Sequence, residues 1–279
     1  MKINLAKSAG FCFGVKRALD IAFQTAESGK KVFMLGDIVH NEDVIKEVRK
    51  SGIKKIYRLS RGKGNILLIR AHGACIATLK KAAAAGYKIV DATCPMVKEI
   101  HKIAKGMEQD GYTIIIIGDR KHDEVHGIIG QLKNKAVIID SSGKVPLNKI
   151  KRIKKAAVVS QSTQNLQKVT AIVKKLKRHI KEVRFFNTIC RPTRIKQQEI
   201  KTLPRKNDVM IVIGSKASAN TRRLFEISKV LNKRTYWVKS KQEINPTWFK
   251  NAKTVGITAG ASTPEWITKK VIGYIKKLR

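Results

Sequence analysis

Three cysteines stand where a short apolar run gives way to a helical pattern. The joints read "KINLAKSAGFC" before "FGVKRALDIA", "YKIVDATC" before "PMVKEIHKIA", and "VRFFNTIC" before "RPTRIKQQEI". Each cysteine is followed, 24 residues on, by a glycine that closes another apolar run: Cys12 to Gly36, Cys94 to Gly118, Cys190 to Gly214. A thiol at the start of a helix meets the positive end of the peptide dipoles and unpaired N–H groups, which favours the thiolate. Three thiolates aimed at one point would bind metal. Zinc with three Cys and one His is one reading, although structural zinc usually recruits close CxxC pairs and this chain has none. An iron–sulfur cluster is the other; it usually takes four cysteines, and a cubane held by three leaves one iron open as a Lewis acid that can also deliver electrons. The fourth cysteine, Cys75, also precedes a helix. It lacks the glycine 24 residues on and aligns with Ser262 in the repeat, so it reads as a bystander.

The loops after these glycines align as "GDIVHNE", "GDRKHDE" and "GSKASAN". His40 and His122 share one position there, with Ser218 in the third copy; Glu42 and Glu124 share another, with Asn220 in the third. A second set of strand-end loops, "IRAHGAC", "VSQSTQN" and "ITAGAST", supplies His72, Ser162 or Thr163, and Ser262. Hydroxyls, imidazoles and backbone N–H groups beside glycines suit phosphate. A buried glutamate among them could hold a proton for transfer, since burial raises a carboxyl's pKa. Repeat symmetry does not choose between Glu42 and Glu124, and a first-turn acid also complements a helix dipole. His101, His126 and His179 fall inside helical patterns and read as ordinary structural histidines.

The elements that must carry these loops alternate. Short β-branched runs ("KVFMLG", "GNILLIR", "YTIIIIG", "AAVVS", "DVMIVIG", "TVGITAG") are separated by amphipathic stretches such as "VKRALDIAFQTA" and "QKVTAIVKKLKR". That pattern predicts an α/β protein with largely parallel sheets. The cysteine-to-glycine register divides the chain into three units, each helix–strand–helix–strand–strand–helix–strand: residues 13–94, 95–190 and 191–279. The last unit runs out of chain before its final strand, and the N-terminal segment 1–12 is expected to complete it. Such a trefoil of pseudo-threefold domains, each with a four-stranded sheet, would aim the three cysteines and their loops at one centre beyond the strands' carboxyl ends.

With 43% hydrophobic and 28% charged residues the chain has an ordinary globular balance. The longest apolar runs are strand-sized, and "MKINLAKSAGFCFG" lacks a signal peptide's apolar core, so a cytoplasmic protein without membrane spans is expected. The net charge of +39 comes from 59 basic and 20 acidic residues. Lysines are spread over helices and edges alike, which reads as solvated faces rather than a nucleic-acid patch; capture of an anionic substrate or an acidic protein is a second use.

The ordered motifs "GFCFGVKRA", "VHN", "AHG", "DATCP", "GDRKHDEVHG", "VSQST", "GSKASAN" and "TAGAS" resemble the 4-hydroxy-3-methylbut-2-enyl diphosphate reductase family, from residue 3 to about residue 265. The resemblance implies a 4Fe-4S cluster on Cys12, Cys94 and Cys190, with the substrate's allylic hydroxyl at the open iron. It implies reductive dehydroxylation to isopentenyl and dimethylallyl diphosphates, the last step of the non-mevalonate isoprenoid pathway, with electrons from ferredoxin or flavodoxin. It makes Glu124 the proton donor, with Thr163 in its relay, and places His40, His72, His122, Ser162, Ser218, Ala219, Asn220 and Ser262 around the diphosphate. The family usually has a second serine at Ala219, where only the backbone N–H remains to donate, and two threonines at Ser162-Thr163. A monomer or homodimer is expected. The alternative on the same trefoil is a three-cysteine dehydratase resembling quinolinate synthase; the "HDE" and "SxN" loops favour the diphosphate enzyme.

Overall fold

The computed structural model describes residues 1–140 and 142–278. Strand β1 (Lys2–Leu5) precedes the first cysteine. The first repeat then runs α1 (Phe13–Ala26), β2 (Val32–Leu35), α2 (Glu42–Lys50), β3 (Lys54–Ile56), β4 (Ile66–Ile69), α3 (Ile76–Ala84) and β5 (Lys88–Asp91). The second runs α4 (Pro95–Gln109), β6 (Thr113–Ile117), α5 (Asp123–Ile129), β7 (Val137–Ile139), α6 (Leu147–Ile150), β8 (Lys155–Ser160), α7 (Leu166–Leu176) and β9 (Glu182–Phe185). The third runs α8 (Arg191–Thr202), β10 (Val209–Ile213), α9 (Ala219–Leu231), β11 (Thr235–Val238), β12 (Thr254–Ala259) and α10 (Glu265–Lys277). Helix α6 is an addition to the expected series.

Among the described residues these strands form three four-stranded sheets of one design. The orders are β3-β2-β4-β5, β7-β6-β8-β9 and β11-β10-β12-β1. Every pairing is parallel. The strand missing from the third repeat is supplied by the N-terminus, with Lys2 opposite Thr254 and Leu5 opposite Ile257. Parallel sheets are covered on both faces by their crossover helices, so their central strands are apolar throughout rather than alternating. Thus Val209 through Ile213 are all buried, as are Ile114 through Ile117 and Ala156 through Val159. Each such Ile or Val contributes about 1.5–3 kcal/mol by leaving water.

The chain gathers into two compact units. One comprises Met1–Lys16, His40–Ile45 and residue 191 onward, and contains the sheet completed by β1. The other comprises Arg17–Val39 and Lys46–Cys190, and contains the other two sheets.

In the first unit a buried ammonium fastens the segment between β1 and Cys12. Lys196, on α8 and 2% exposed, donates to the carbonyls of Ser8, Gly10 (3.0 Å) and Ala259 (3.1 Å). Glu199, one turn on, accepts from the Ser8 amide at 3.1 Å and from its hydroxyl at 2.5 Å. A charge out of water is tolerated only when hydrogen bonds replace its hydration, and these carbonyls do that. The last residues before the first cysteine are therefore clasped by α8.

Candidate active site

All four cysteines are half-buried and none is in a disulfide. Three of them share a backbone register. The Cys12 amide donates to Ala261 O (3.1 Å), the Cys94 amide to Ala71 O (3.0 Å) and the Cys190 amide to Ser162 O (3.0 Å). Each acceptor lies in the second strand-end loop of a repeat, so each cysteine extends its strand's ladder just before the helix begins. Pro95 occupies the first helical position after Cys94, where a missing N–H costs no helix bond. Cys75 has no part in this register. Its Sγ lies 2.8 Å from Thr78 Oγ1, and a Cβ added to Gly130 would sit 1.9 Å from its own Cβ. That thiol is taken up in packing between α3 and α5.

The two repeats of the larger unit bring Glu124, His122, His72 and Ser162 together. Glu124, in the first turn of α5, is 2% exposed. Its Oε1 accepts from the Ser162 amide at 2.5 Å and its Oε2 from the Ser162 hydroxyl at 2.7 Å. Burial pushes the carboxyl's pKa up, against the opposing pull of the two Ser162 bonds. His122 caps the same helix, its Nδ1 accepting from the Glu124 amide at 3.2 Å. Acceptance at Nδ1 assigns the ring proton to Nε2, which makes that nitrogen the donor. The His72 ring stands edge-on to it, with centroids 5.5 Å apart. Thr163 Oγ1 accepts from Gln161 Nε2 at 2.9 Å, so the carboxyl's hydroxyl partner is Ser162 and not Thr163. Close approach requires Gly118 at the end of β6: a Cβ there would meet Val125 Cγ2 at 2.7 Å, in the helix that carries Glu124.

Glu42, which sequence symmetry left level with Glu124, differs in surroundings. It is exposed, with its Oε1 accepting from Ser215 Oγ at 3.1 Å. Burial therefore singles out Glu124 as the carboxyl that can hold a proton.

In the smaller unit Ser262 Oγ donates to His40 O at 3.3 Å, and Ser218 caps α9 by accepting from the Thr221 amide. Ala219 and Asn220 follow it, both buried. Gly214 ends β10 at φ +148°, and a Cβ there would meet Thr263 Oγ1 at 2.6 Å and Thr221 Oγ1 at 2.7 Å, so its bareness lets the 262–263 loop and the first turn of α9 both close on the strand end. Asn220 is 4% exposed, yet neither its Oδ1 nor its Nδ2 has a partner among the described residues. A buried amide left unpaired costs free energy unless a ligand completes it. A carboxamide with both ends open fits a polar substrate group.

Two features were not foreseen. Arg70 Nη1 pairs with Asp123 Oδ2 at 2.7 Å, tying the strand end of β4 to the first turn of α5. His101 lies against two glycines: a Cβ on Gly73 would meet its Cε1 at 2.8 Å, and one on Gly127 its Nε2 at 3.3 Å. Burial drops its pKa from 6.5 to about 4, with the Asp91 charge pulling the other way. A histidine kept neutral by the fold binds its proton more readily when unfolded, so its contribution is whole above 6.5 and is lost as pH falls toward 4. Thermal unfolding followed across that window should show the midpoint falling on acidification, and His101→Gln should flatten the slope.

Comparison with known proteins places these features in a family. A family model described as LytB protein matches residues 3–276. The chain is 40% identical over 278 residues to a 4-hydroxy-3-methylbut-2-enyl diphosphate reductase of Geobacter metallireducens, covering 100% of this chain and 98% of the relative. It is likewise 40% identical to that of Geobacter sulfurreducens, over 99% of this chain and 98% of the relative. A solved structure described as (E)-4-hydroxy-3-methyl-but-2-enyl diphosphate reductase, the terminal enzyme of the non-mevalonate pathway, is 36% identical with a TM-score of 0.72, covering 99% of this chain and all of that one. A reductase structure from Plasmodium falciparum, 28% identical, matches with a TM-score of 0.88 over 98% of this chain and 87% of that one.

Proposed function

This chain belongs to the LytB family of 4-hydroxy-3-methylbut-2-enyl diphosphate reductases, and from that premise we propose how its own residues carry the reaction. Breaking the allylic C–O bond consumes two electrons and two protons. One proton leaves with the hydroxyl as water, and the other goes to carbon at either end of the allyl system, giving the two isomeric diphosphates. The family match decides against the dehydratase alternative.

Cys12, Cys94 and Cys190 would hold a 4Fe-4S cluster as thiolates. Their shared backbone register and positions at the starts of α1, α4 and α8 suit three equivalent soft ligands. When bound, the cluster supplies electrons and one iron with an open position. Each repeat, 13–94, 95–190 and 191–279 with 1–12, would then contribute one ligand and its share of the pocket.

The single observation that carries the proton chemistry is Glu124, fully enclosed, raised in pKa, and bonded through both oxygens to Ser162. Glu124 holds the proton, and the Ser162 hydroxyl at 2.7 Å extends its reach by one bond. Thr163 stands beside this pair. His122, with its proton on Nε2, donates toward the substrate, and His72 flanks it. The Asn220 carboxamide, together with Ser218, Ser262, His40 and the Ala219 amide, binds the diphosphate through N–H and O–H donors and fixes the allyl group's orientation. Reduced ferredoxin or flavodoxin is the donor of electrons, and the cytoplasm is the compartment; no helix among the described residues is long and apolar enough to cross a membrane.

Anaerobic turnover of the hydroxylated diphosphate with an artificial reductant, following both isomers, tests the reading. Both products are expected from cluster-loaded protein, and none would overturn it.

A further inference from the structure

An electron must enter near the cysteines, and the ends of α1 and α8 that begin at Cys12 and Cys190 carry an unusual surface. A helix N-terminus favours acidic side chains in its first turn, because they complement the dipole. Neither α1 nor α8 has one. Each presents bases there instead: Lys16 on α1, and Arg191 and Arg194 on α8. All three are exposed, and none has a side-chain hydrogen bond or ion pair among the described residues. The same position in α4 carries Lys98, but that ammonium is neutralised by Asp91 at 2.6 Å. The uncompensated bases are thus confined to the smaller unit.

Large apolar side chains lie among them. Phe13, next to Cys12 in sequence, is 68% exposed, and Ile195 is 41% exposed. Lys16 follows Phe13 by three residues, and Arg191 precedes Ile195 by four, so each base shares a helix face with its apolar neighbour. The two helix starts belong to one piece of structure, since Lys196 and Glu199 of α8 clasp residues 8–10 just before Cys12. Exposed Phe13 and Ile195, each sharing a helix face with an uncompensated base, give the composition of a protein-binding surface rather than of a solvated face.

We infer that Phe13, Lys16, Arg191, Arg194 and Ile195 form the docking surface for the electron donor, a small acidic iron–sulfur or flavin protein. The inference rests on the reading of Cys12 and Cys190 as ligands of the redox centre. Carboxylates of the partner would meet the three bases, which speeds encounter and gives it a salt dependence, while its apolar rim covers Phe13 and Ile195. The rival use of the same bases is to offset negative charge on the cofactor itself, and the two uses separate experimentally.

The test compares wild type with a Lys16→Glu/Arg191→Glu/Arg194→Glu variant and, separately, Phe13→Ser. Purified ferredoxin and flavodoxin are the donors, and reduced methyl viologen is the small control. The charge variant is expected to lose at least about tenfold in kcat/KM for the reduced donor protein, and most of its salt dependence. Binding of the oxidised donor, titrated by calorimetry, should weaken in parallel. Viologen-driven turnover and the cluster's midpoint potential should stay at wild-type values. Phe13→Ser should raise KM for the protein donor alone. Unchanged donor kinetics and binding would overturn the inference. So would a joint shift of viologen rate and midpoint potential, since the bases would then be serving the cofactor. Wild-type protein that makes no product with viologen counts against the reading of the reaction, and the binding titration then decides the surface by itself.

Discussion

Glu124→Gln is expected to lower turnover by about two to four orders of magnitude, the usual worth of a positioned proton donor, while leaving the cluster's visible absorbance and substrate binding in place. The substitution keeps the shape and a carbonyl oxygen for the Ser162 amide, so the local packing survives. What it removes is the acidic proton, held at the only described carboxyl that is both enclosed and tied to a hydroxyl relay. Anaerobic single-turnover kinetics with viologen measures the loss directly, and turnover within a factor of a few of wild type would exclude Glu124 as the acid. The pH dependence has a definite sign. Burial raises the folded pKa, so the donor is present at low pH and is removed as pH rises through that raised value. The wild-type rate should therefore decline on the alkaline side. Stability follows the same direction: the native state keeps a proton that the unfolded chain has released, so this contribution is lost as pH rises above the ordinary carboxyl range. The Gln variant has no proton to lose, and its melting temperature should gain on that of wild type as pH increases.

Serine in place of Cys12, Cys94 or Cys190 should abolish the visible absorbance and the iron content of protein reconstituted under anaerobic conditions; Cys75→Ser should retain both. A hydroxyl is a harder and far less acidic ligand than a thiol, and iron–sulfur clusters are selected by soft thiolates. The contrast among the four rests on geometry. Three amides bond across to a strand-end loop in a common register, whereas Cys75 is wedged against Gly130 and hydrogen-bonded to Thr78. Loss of colour in Cys75→Ser, or its survival in any of the other three, would break the assignment.

Much of the frame could be read from residue order because it repeats. The interval from cysteine to glycine fixes where a helix ends and the next strand stops, and the structure has β2, β6 and β10 at those intervals. The outer strands β3, β7 and β11 had no such signal. "KKI", "VII" and "TYWV" are three or four residues long, and edge strands of that length depend on pairing with β2, β6 and β10 rather than on their own composition. The polar loops were legible as a set, but their internal bonding was not. That Ser162 rather than Thr163 meets Glu124 depends on which way a strand-end turn points its side chains. Glu42 and Glu124 look alike in sequence and part company only through burial. Lys196 illustrates the limit most plainly: among 59 basic residues nothing in the sequence marks it as buried, because its partners are carbonyls at positions 8, 10 and 259.

The pairing of β1 with β12 also sets an order of events during synthesis. Domains generally fold from the N-terminal side as the chain is made. Here β1 is made well before its neighbour β12, with Leu5 opposite Ile257 and the Cys12 amide on Ala261. The segment bearing the first cysteine must wait, unpaired, while the two sheets of the larger unit can already form. A chain cut before Thr254 would leave β1 without its partner and Cys12 unplaced. The fold thus ties its first cysteine to its twelfth strand: a chain that can set Cys12 is one in which β12 and the loop carrying Ala261 have already been made.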